Sequence, residues 1–228
     1  DFEALSSVDM VIEAVFEEMN VKKQVFKILD KVLKKGGILA SNTSYLDINE
    51  LASITSRPQD VIGLHFFSPA NIMRLLEIVV PSKVANDVVA TGFYLAKLMK
   101  KIPVRASVCD GFIGNRILNK YGDCAYFMME DGATPYEIDR AIFEFGYPMG
   151  PFQMFDLAGG DIGWAMRKRL QPIRNKNNRY VHIPDRLCEK GWFGQKTGRG
   201  FYRYDKGNRR GDEDPEVLEI IKLERQKK

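Results

Sequence analysis

Val61-Ile62-Gly63-Leu64-His65-Phe66-Phe67 is a short apolar run with one polar residue near its carboxyl end. Its length and its content of β-branched and aromatic residues predict a buried strand rather than a helix. Working outward, Ile38 to Ala40 gives a second such strand upstream, and Val8 to Val15 another before it. Leu75 to Val80 gives a fourth downstream. Between the first two, residues 20 to 35 place Val21, Val25, Ile28, Leu29, Val32 and Leu33 at helical spacing, with Gly36-Gly37 as the expected stop. A second helical stretch holds Leu46, Ile48, Leu51, Ala52 and Ile54 and must end before Arg57-Pro58. Strands alternating with helices on short loops predict a mostly parallel α/β sheet.

The character of the chain changes near Pro103 to Asp110. From Gly111 to Trp164 the pattern reads as helices broken by glycine and proline. Thr134-Pro135-Tyr136-Glu137 predicts a helix start, with Thr as N-cap, Pro in the first turn and Glu closing a capping box. Ile138, Ile142 and Phe145 are the expected apolar face of that helix. Residues 167 to 179 are polar and basic and are expected to form a loop. A charged helix after Asp212 needs a surface to pack on. We therefore expect an α/β domain over residues 1–106 and an all-α domain over 107–228.

The 34 basic and 30 acidic residues leave a formal charge of +4, a mild excess with no basic stripe interleaved with aromatics. No nucleic-acid partner is expected, although a weak positive field suits a polyanionic substrate. Cys109, Cys124 and Cys188 form no CxxC pair, so neither a disulfide framework nor a metal site is expected, and a reducing intracellular compartment follows. No apolar run reaches the length of a membrane span. Asp1-Phe2-Glu3 is no signal peptide and reads like the interior of a longer protein. The end, Arg225 to Lys228, is not a peroxisomal SKL-type address.

Of the two histidines, His182 sits in a loop context and is expected at the surface. His65 lies near the carboxyl end of a strand, where open α/β sheets bind ligands. On pattern alone, a core histidine bonded to backbone competes with a functional one. Glu77 is a lone acid inside Leu75-Leu76-Glu77-Ile78-Val79-Val80, so it must face water or a partner. Beside a histidine it would fix the imidazole tautomer, as a general base requires. Ser41-Asn42-Thr43-Ser44 at a strand end reads as turn and cap chemistry that could also orient a substrate oxygen.

Ser41 to Ser44, Gly63 to Pro69 and Met73 to Glu77 resemble the 3-hydroxyacyl-CoA dehydrogenase family. Asp110-Gly111-Phe112-Ile113-Gly114-Asn115-Arg116, Gly146 to Pro151 and Phe193 to Tyr202 continue the resemblance in order. It spans nearly the whole chain. Ser68, where single-function members usually have Asn, is similar to the multifunctional β-oxidation enzymes, which fuse a hydratase/isomerase domain ahead of the dehydrogenase.

The resemblance implies oxidation of (S)-3-hydroxyacyl-CoA to 3-ketoacyl-CoA with NAD, in the bacterial cytoplasm or the peroxisomal matrix. It gives His65 the role of general base and Glu77 that of its orienting partner. Ser44 and Asn115 would hold the substrate's reacting oxygen and thioester region. Glu17, Lys22 and Asn42 would approach the nicotinamide and its ribose; taken alone, Glu17 and Lys22 read as a solvated helix start. It also implies a homodimer, or a covalently attached second domain in the dimer partner's place. The alternative is a non-catalytic relative, crystallin-like or binding; another β-hydroxyacid dehydrogenase is a weaker third.

The departure from the family is the Gly-rich turn that cradles the NAD pyrophosphate. No Gly-x-Gly-x-x-Gly occurs in the 228 residues. Residues 191 to 200 are glycine-rich but fit neither that spacing nor a P-loop, and are expected to be a turn packing the helical domain. We expect a truncated Rossmann-type domain with an exposed sheet edge, and weak or no NAD binding by the isolated chain. NADH affinity measured by fluorescence checks this; micromolar binding contradicts it.

Overall fold

The computed structural model describes residues 2–205, 207–208 and 210–227. The chain divides into two compact units, Asp1–Leu118 and Asn119–Lys228.

The first unit alternates strand and helix: β1 (Met10–Glu13), α1 (Met19–Val32), β2 (Ile38–Ser41), α2 (Ile48–Ser53), β3 (Val61–Phe66), β4 (Leu75–Val80), α3 (Asn86–Leu98) and β5 (Ile102–Ser107). The strands form one sheet in the order β1-β2-β3-β4-β5. β1/β2, β2/β3 and β4/β5 pair parallel, while β3/β4 pair antiparallel. The mostly parallel sheet is as expected; the reversal at β4, α3 and β5 were not foreseen. Strand and helix there are separated by a single turn, which blurs the change of period.

Strand alternation decides which side chains reach which face. Val11, Leu39, Val61 and Val79 pack with Phe26 and Leu29 of α1 and Ile48 and Leu51 of α2. Ile38, Ala40, Ile62, Leu64 and Ile78 pack on the other face with Val88 and Ala96 of α3. Continuing the period of two from the first set puts Glu13, Ser41, His65 and Glu77 on the α1/α2 face, all buried. The apolar pattern thus lays four polar groups on one face of the sheet, with Glu13 opposite Ser41 and His65 opposite Glu77.

Helix α1 buries most of its expected face, with Leu29 and Leu33 buried and Val25 packed on the core, but also turns Lys22 and Phe26 inward. Lys22, Phe26 and Leu29 are its buried residues, whereas Ile28 is exposed. It also ends one turn before Gly36-Gly37, because Arg57 takes over its last carbonyls. The guanidinium donates to the carbonyl oxygens of Asp30, Leu33 and Lys34 and pairs with the Asp30 carboxylate at 3.0 Å.

In the second unit, α4 (Gly114–Asp131), which begins in the first, is followed by α5 (Pro135–Glu144), α6 (Pro151–Ala158), α7 (Gly160–Leu170), α8 (Ile183–Glu189) and α9 (Pro215–Arg225). A small antiparallel pair, β6 (Tyr202–Arg203) with β7 (Asp212–Glu213), was not anticipated. The Thr134/Glu137 capping box forms as read. Ile138 is buried, but Phe145 is exposed past the helix end. The stretch from Arg167 is not wholly a loop, since Arg167 to Leu170 form the last turn of α7. His182 is exposed, as expected. The charged helix α9 finds its surface by burying Val217 and Ile221 in a core with Tyr136, Phe152 and Leu187.

Asp156 organises the glycine-rich turn. Its carboxylate accepts the backbone amides of Phe201 and Tyr202 and the Tyr204 hydroxyl, at 2.9 to 3.0 Å. Gly194, at φ 97°, passes so close to the Asp156 backbone that any β-carbon would overlap it. The turn therefore packs the helical unit. Burial pushes the Asp156 carboxyl up to about 6, against these hydrogen bonds. An acid raised on folding holds its proton more tightly when native, so its contribution is complete below about pH 4 and is lost as pH rises through about 6. Urea titrations should show stability declining across that window, with the decline absent in Asp156→Asn.

Candidate functional site

Register brings the two leading candidates together. His65 on β3 and Glu77 on β4 are direct cross-strand partners. On the same face, that pairing sets His65 Nδ1 2.7 Å from Glu77 Oε2. His65 is 3% exposed and Glu77 fully buried. The other carboxylate oxygen, Oε1, accepts the backbone amides of Ile113 at 2.9 Å and Gly114 at 2.8 Å. Those amides open α4, so Glu77 lies on the positive end of a helix of 18 residues. Burial works to raise the Glu77 carboxyl, but the hydrogen bonds to His65, Gly114 and Ile113 outweigh it and hold it below the ordinary range.

The imidazole is wedged between Phe67, with centroids 4.6 Å apart, and Phe112 at 5.6 Å. Carboxylate on one nitrogen and aromatic rings around it fix the ring and leave Nε2 as the nitrogen Glu77 does not engage. A β-carbon on Gly114 would lie 2.6 Å from Phe67 Cζ and 3.7 Å from Glu77 Oε1. Gly114→Ala should therefore displace Phe67 and cost about 1–3 kcal/mol, read as a lowered denaturation midpoint with the slope unchanged.

Asn115 follows directly on the amide pair that holds Glu77, in the first turn of α4. Ser44 lies in the turn after β2, its backbone amide donating to Glu17 Oε1 at 2.8 Å. Among the described residues, neither Ser44 nor Asn115 hydrogen-bonds the histidine–glutamate pair through its side chain. Asn42 ties strand ends together, with its Oδ1 accepting the Phe66 amide at 2.9 Å beside His65.

Lys22 corrects the reading of a solvated helix start. Its side chain is 1% exposed, and Nζ pairs with Glu13 at 2.6 Å and Glu17 at 3.3 Å. Glu17 is 38% exposed and also accepts the Thr43 hydroxyl and the Tyr45 amide. Glu13 was missed. The signal was of the kind that singled out Glu77, an acid within an apolar run, here Val8 to Val15. No group of three or more His, Cys, Asp or Glu among the described residues could hold a metal ion, and no described helix is long and apolar enough to cross a membrane.

Residues 1–109 match the family model for the 3-hydroxyacyl-CoA dehydrogenase NAD binding domain, and residues 111–204 the model for its C-terminal domain. The peroxisomal bifunctional enzyme of Danio rerio is 46% identical over 233 residues, covering 97% of this chain and 32% of that protein. The human enzyme of the same name is 51% identical over 213 residues, covering 89% of this chain and 30% of that protein. The chain thus spans about a third of the length of these curated relatives. Among solved structures, (S)-3-hydroxybutyryl-CoA dehydrogenase from Ralstonia eutropha superposes with a TM-score of 0.82 at 30% identity, covering 90% of this chain and 74% of that one. The dehydrogenase part of multifunctional enzyme 1 from C. elegans gives 0.65 at 32% identity, covering 98% and 51%.

Proposed function

The chain belongs to the 3-hydroxyacyl-CoA dehydrogenase family, and from that membership we propose that it oxidises (S)-3-hydroxyacyl-CoA to 3-ketoacyl-CoA with NAD in fatty-acid β-oxidation. The observation that carries the reading is the buried His65 Nδ1–Glu77 Oε2 contact of 2.7 Å at the end of β3.

With Glu77 ionised and accepting a proton from Nδ1, the lone pair of the neutral ring sits on Nε2. That nitrogen takes the proton of the substrate's 3-hydroxyl as C3 loses its hydride. The imidazolium so formed faces Glu77, whose charge is already in place, so little reorganisation accompanies the step. In reverse, the same nitrogen returns the proton to the ketone oxygen. Ser44 and Asn115 position the reacting oxygen and the thioester.

NAD supplies the hydride acceptor when bound. Glu17 in the segment after β1, Lys22 in the first turn of α1 and Asn42 just after β2 fit its nicotinamide-ribose end: a half-exposed carboxylate suits ribose hydroxyls, and Lys22 sets its orientation. No Gly-x-Gly-x-x-Gly stands among the 228 residues to hold the pyrophosphate.

The functional division in this proposal runs at 106/107, with a nucleotide-binding domain that carries no Gly-x-Gly-x-x-Gly before it and a helical dehydrogenase and dimerisation domain after. The partner is an acyl-CoA, together with a second copy or a covalently attached domain. The names of the curated relatives favour the peroxisomal matrix over a bacterial cytoplasm. Acetoacetyl-CoA-dependent NADH oxidation tests the reading, on this chain and on one extended at its amino end. Turnover in the extended chain is the expected result; none in either chain overturns it.

A further inference from the structure

Glu13 is buried at the carboxyl end of β1, opposite Ser41 and on the sheet face that also holds His65 and Glu77. Both of its oxygens are committed. Oε1 accepts Lys22 Nζ at 2.6 Å and the Val15 amide at 2.7 Å, while Oε2 accepts the Ser41 hydroxyl at 2.8 Å. Two routes lead from it to the turn that carries Ser44. One runs through Lys22 to Glu17, whose Oε1 holds the Thr43 hydroxyl and the amides of Ser44 and Tyr45 at 2.6, 2.8 and 3.1 Å. The other runs through Ser41, whose oxygen accepts the Thr43 amide at 3.2 Å.

We infer that Glu13 is a positioning residue that sets the cofactor-facing Lys22 and Glu17 and the substrate-facing Ser44 together, through these two routes. Its place on the reaction path rests on the dehydrogenase reading above. Charge explains why the arrangement needs a carboxylate there. Lys22 is fully buried and Glu17 is not. A buried ammonium that loses its buried partner is left uncompensated. With Glu13 neutral, Lys22 pulls on the more exposed Glu17, and Glu17 can answer only by leaving the three donors of the turn. Glu13 touches neither substrate nor cofactor, and it acts by keeping Glu17 free to hold Ser44.

The test compares Glu13→Gln with Ser41→Ala, which cuts the second route alone and removes no charge. Two readouts are taken on the complete protein: amide hydrogen exchange at Ser44 and Tyr45, and kcat/KM for NADH and for acetoacetyl-CoA. Glu13→Gln should speed exchange at both amides at least ~10-fold, with β3 and β4 unchanged. It should lower kcat/KM for both substrates by ~10²-fold, as ångström-scale misplacement does. Ser41→Ala should give a smaller change of the same kind. It carries the test if Glu13→Gln does not fold. A folded Glu13→Gln protein with unchanged exchange at Ser44 and Tyr45, or with loss of thermal stability but unaltered kcat/KM, overturns the inference. So does unchanged exchange in Ser41→Ala when it stands alone. A wild type without acetoacetyl-CoA-dependent turnover overturns the dehydrogenase reading instead, and the exchange measurement still decides whether Glu13 positions the turn.

Discussion

Replacing His65 with glutamine lowers kcat for acetoacetyl-CoA reduction by ~10²–10⁴-fold, the range associated with loss of a positioned acid–base group. NADH affinity should change little, because Glu17, Lys22 and Asn42 form their contacts without the imidazole. Glutamine is the informative replacement. Its amide can still donate to Glu77 Oε2, so the buried carboxylate keeps a partner and the strand pair stays folded. What it lacks is a nitrogen that takes up a proton. Parallel measurements of kcat, KM and the NADH dissociation constant separate the effects. A fall in NADH affinity with kcat preserved would show that His65 holds the cofactor and does no proton transfer.

Glu77→Gln is expected to be nearly as damaging for a different reason. Oε1 accepts two backbone amides, from Ile113 and Gly114. A glutamine satisfies both only by presenting its carbonyl to them, which turns its NH2 toward His65 Nδ1. The ring must then accept at Nδ1 and carry its proton on Nε2, the wrong nitrogen for a base. A loss of ~10²–10⁴-fold in kcat follows, comparable to other carboxylate-to-amide changes that reverse a catalytic tautomer. A second signature lies in stability. The Glu77 carboxyl is held below its ordinary range, so its stabilisation is complete above that range, around pH 4.5, and is lost as pH falls through the native value. The wild type should lose stability on acidification over that interval. Glu77→Gln should lack this portion of the loss and be less stable near neutrality. Equal kcat in the two proteins, or parallel acid denaturation curves, would contradict this account of Glu77.

Much of this was legible in the residues, for identifiable reasons. The strands around Ile38, Val61 and Leu75 are short apolar runs bounded by turn residues, and they form within a residue or two of their expected limits. The Thr134 capping box is a local motif whose geometry needs no tertiary context. His65 and Glu77 stood out because each is a polar residue inside an apolar strand. What pattern could not supply was the antiparallel reversal at β4, on which their register pairing depends. Strand direction is set by packing over the whole sheet and leaves no mark in a six-residue run. Lys22 shows the opposite failure. Beside Lys23 and Glu18 it reads as a solvated helix start, yet its charge is buried because Glu13, nine residues earlier, was overlooked as a partner. Phe26 packs on the core and Ile28 does not, although Leu29 and Leu33 of the expected face are buried.

The role assigned to His65 requires a particular neutral tautomer, with the proton on Nδ1 shared with Glu77 and Nε2 bare. Nitrogen NMR of imidazole-labelled protein reads this directly from the two ring shifts of His65, above the pH at which the ring is charged. The account predicts a protonated Nδ1 and an unprotonated Nε2 in the wild type, with the two exchanged in Glu77→Gln. A proton resident on Nε2 in the wild type would contradict it, because that nitrogen could not then accept the substrate's proton.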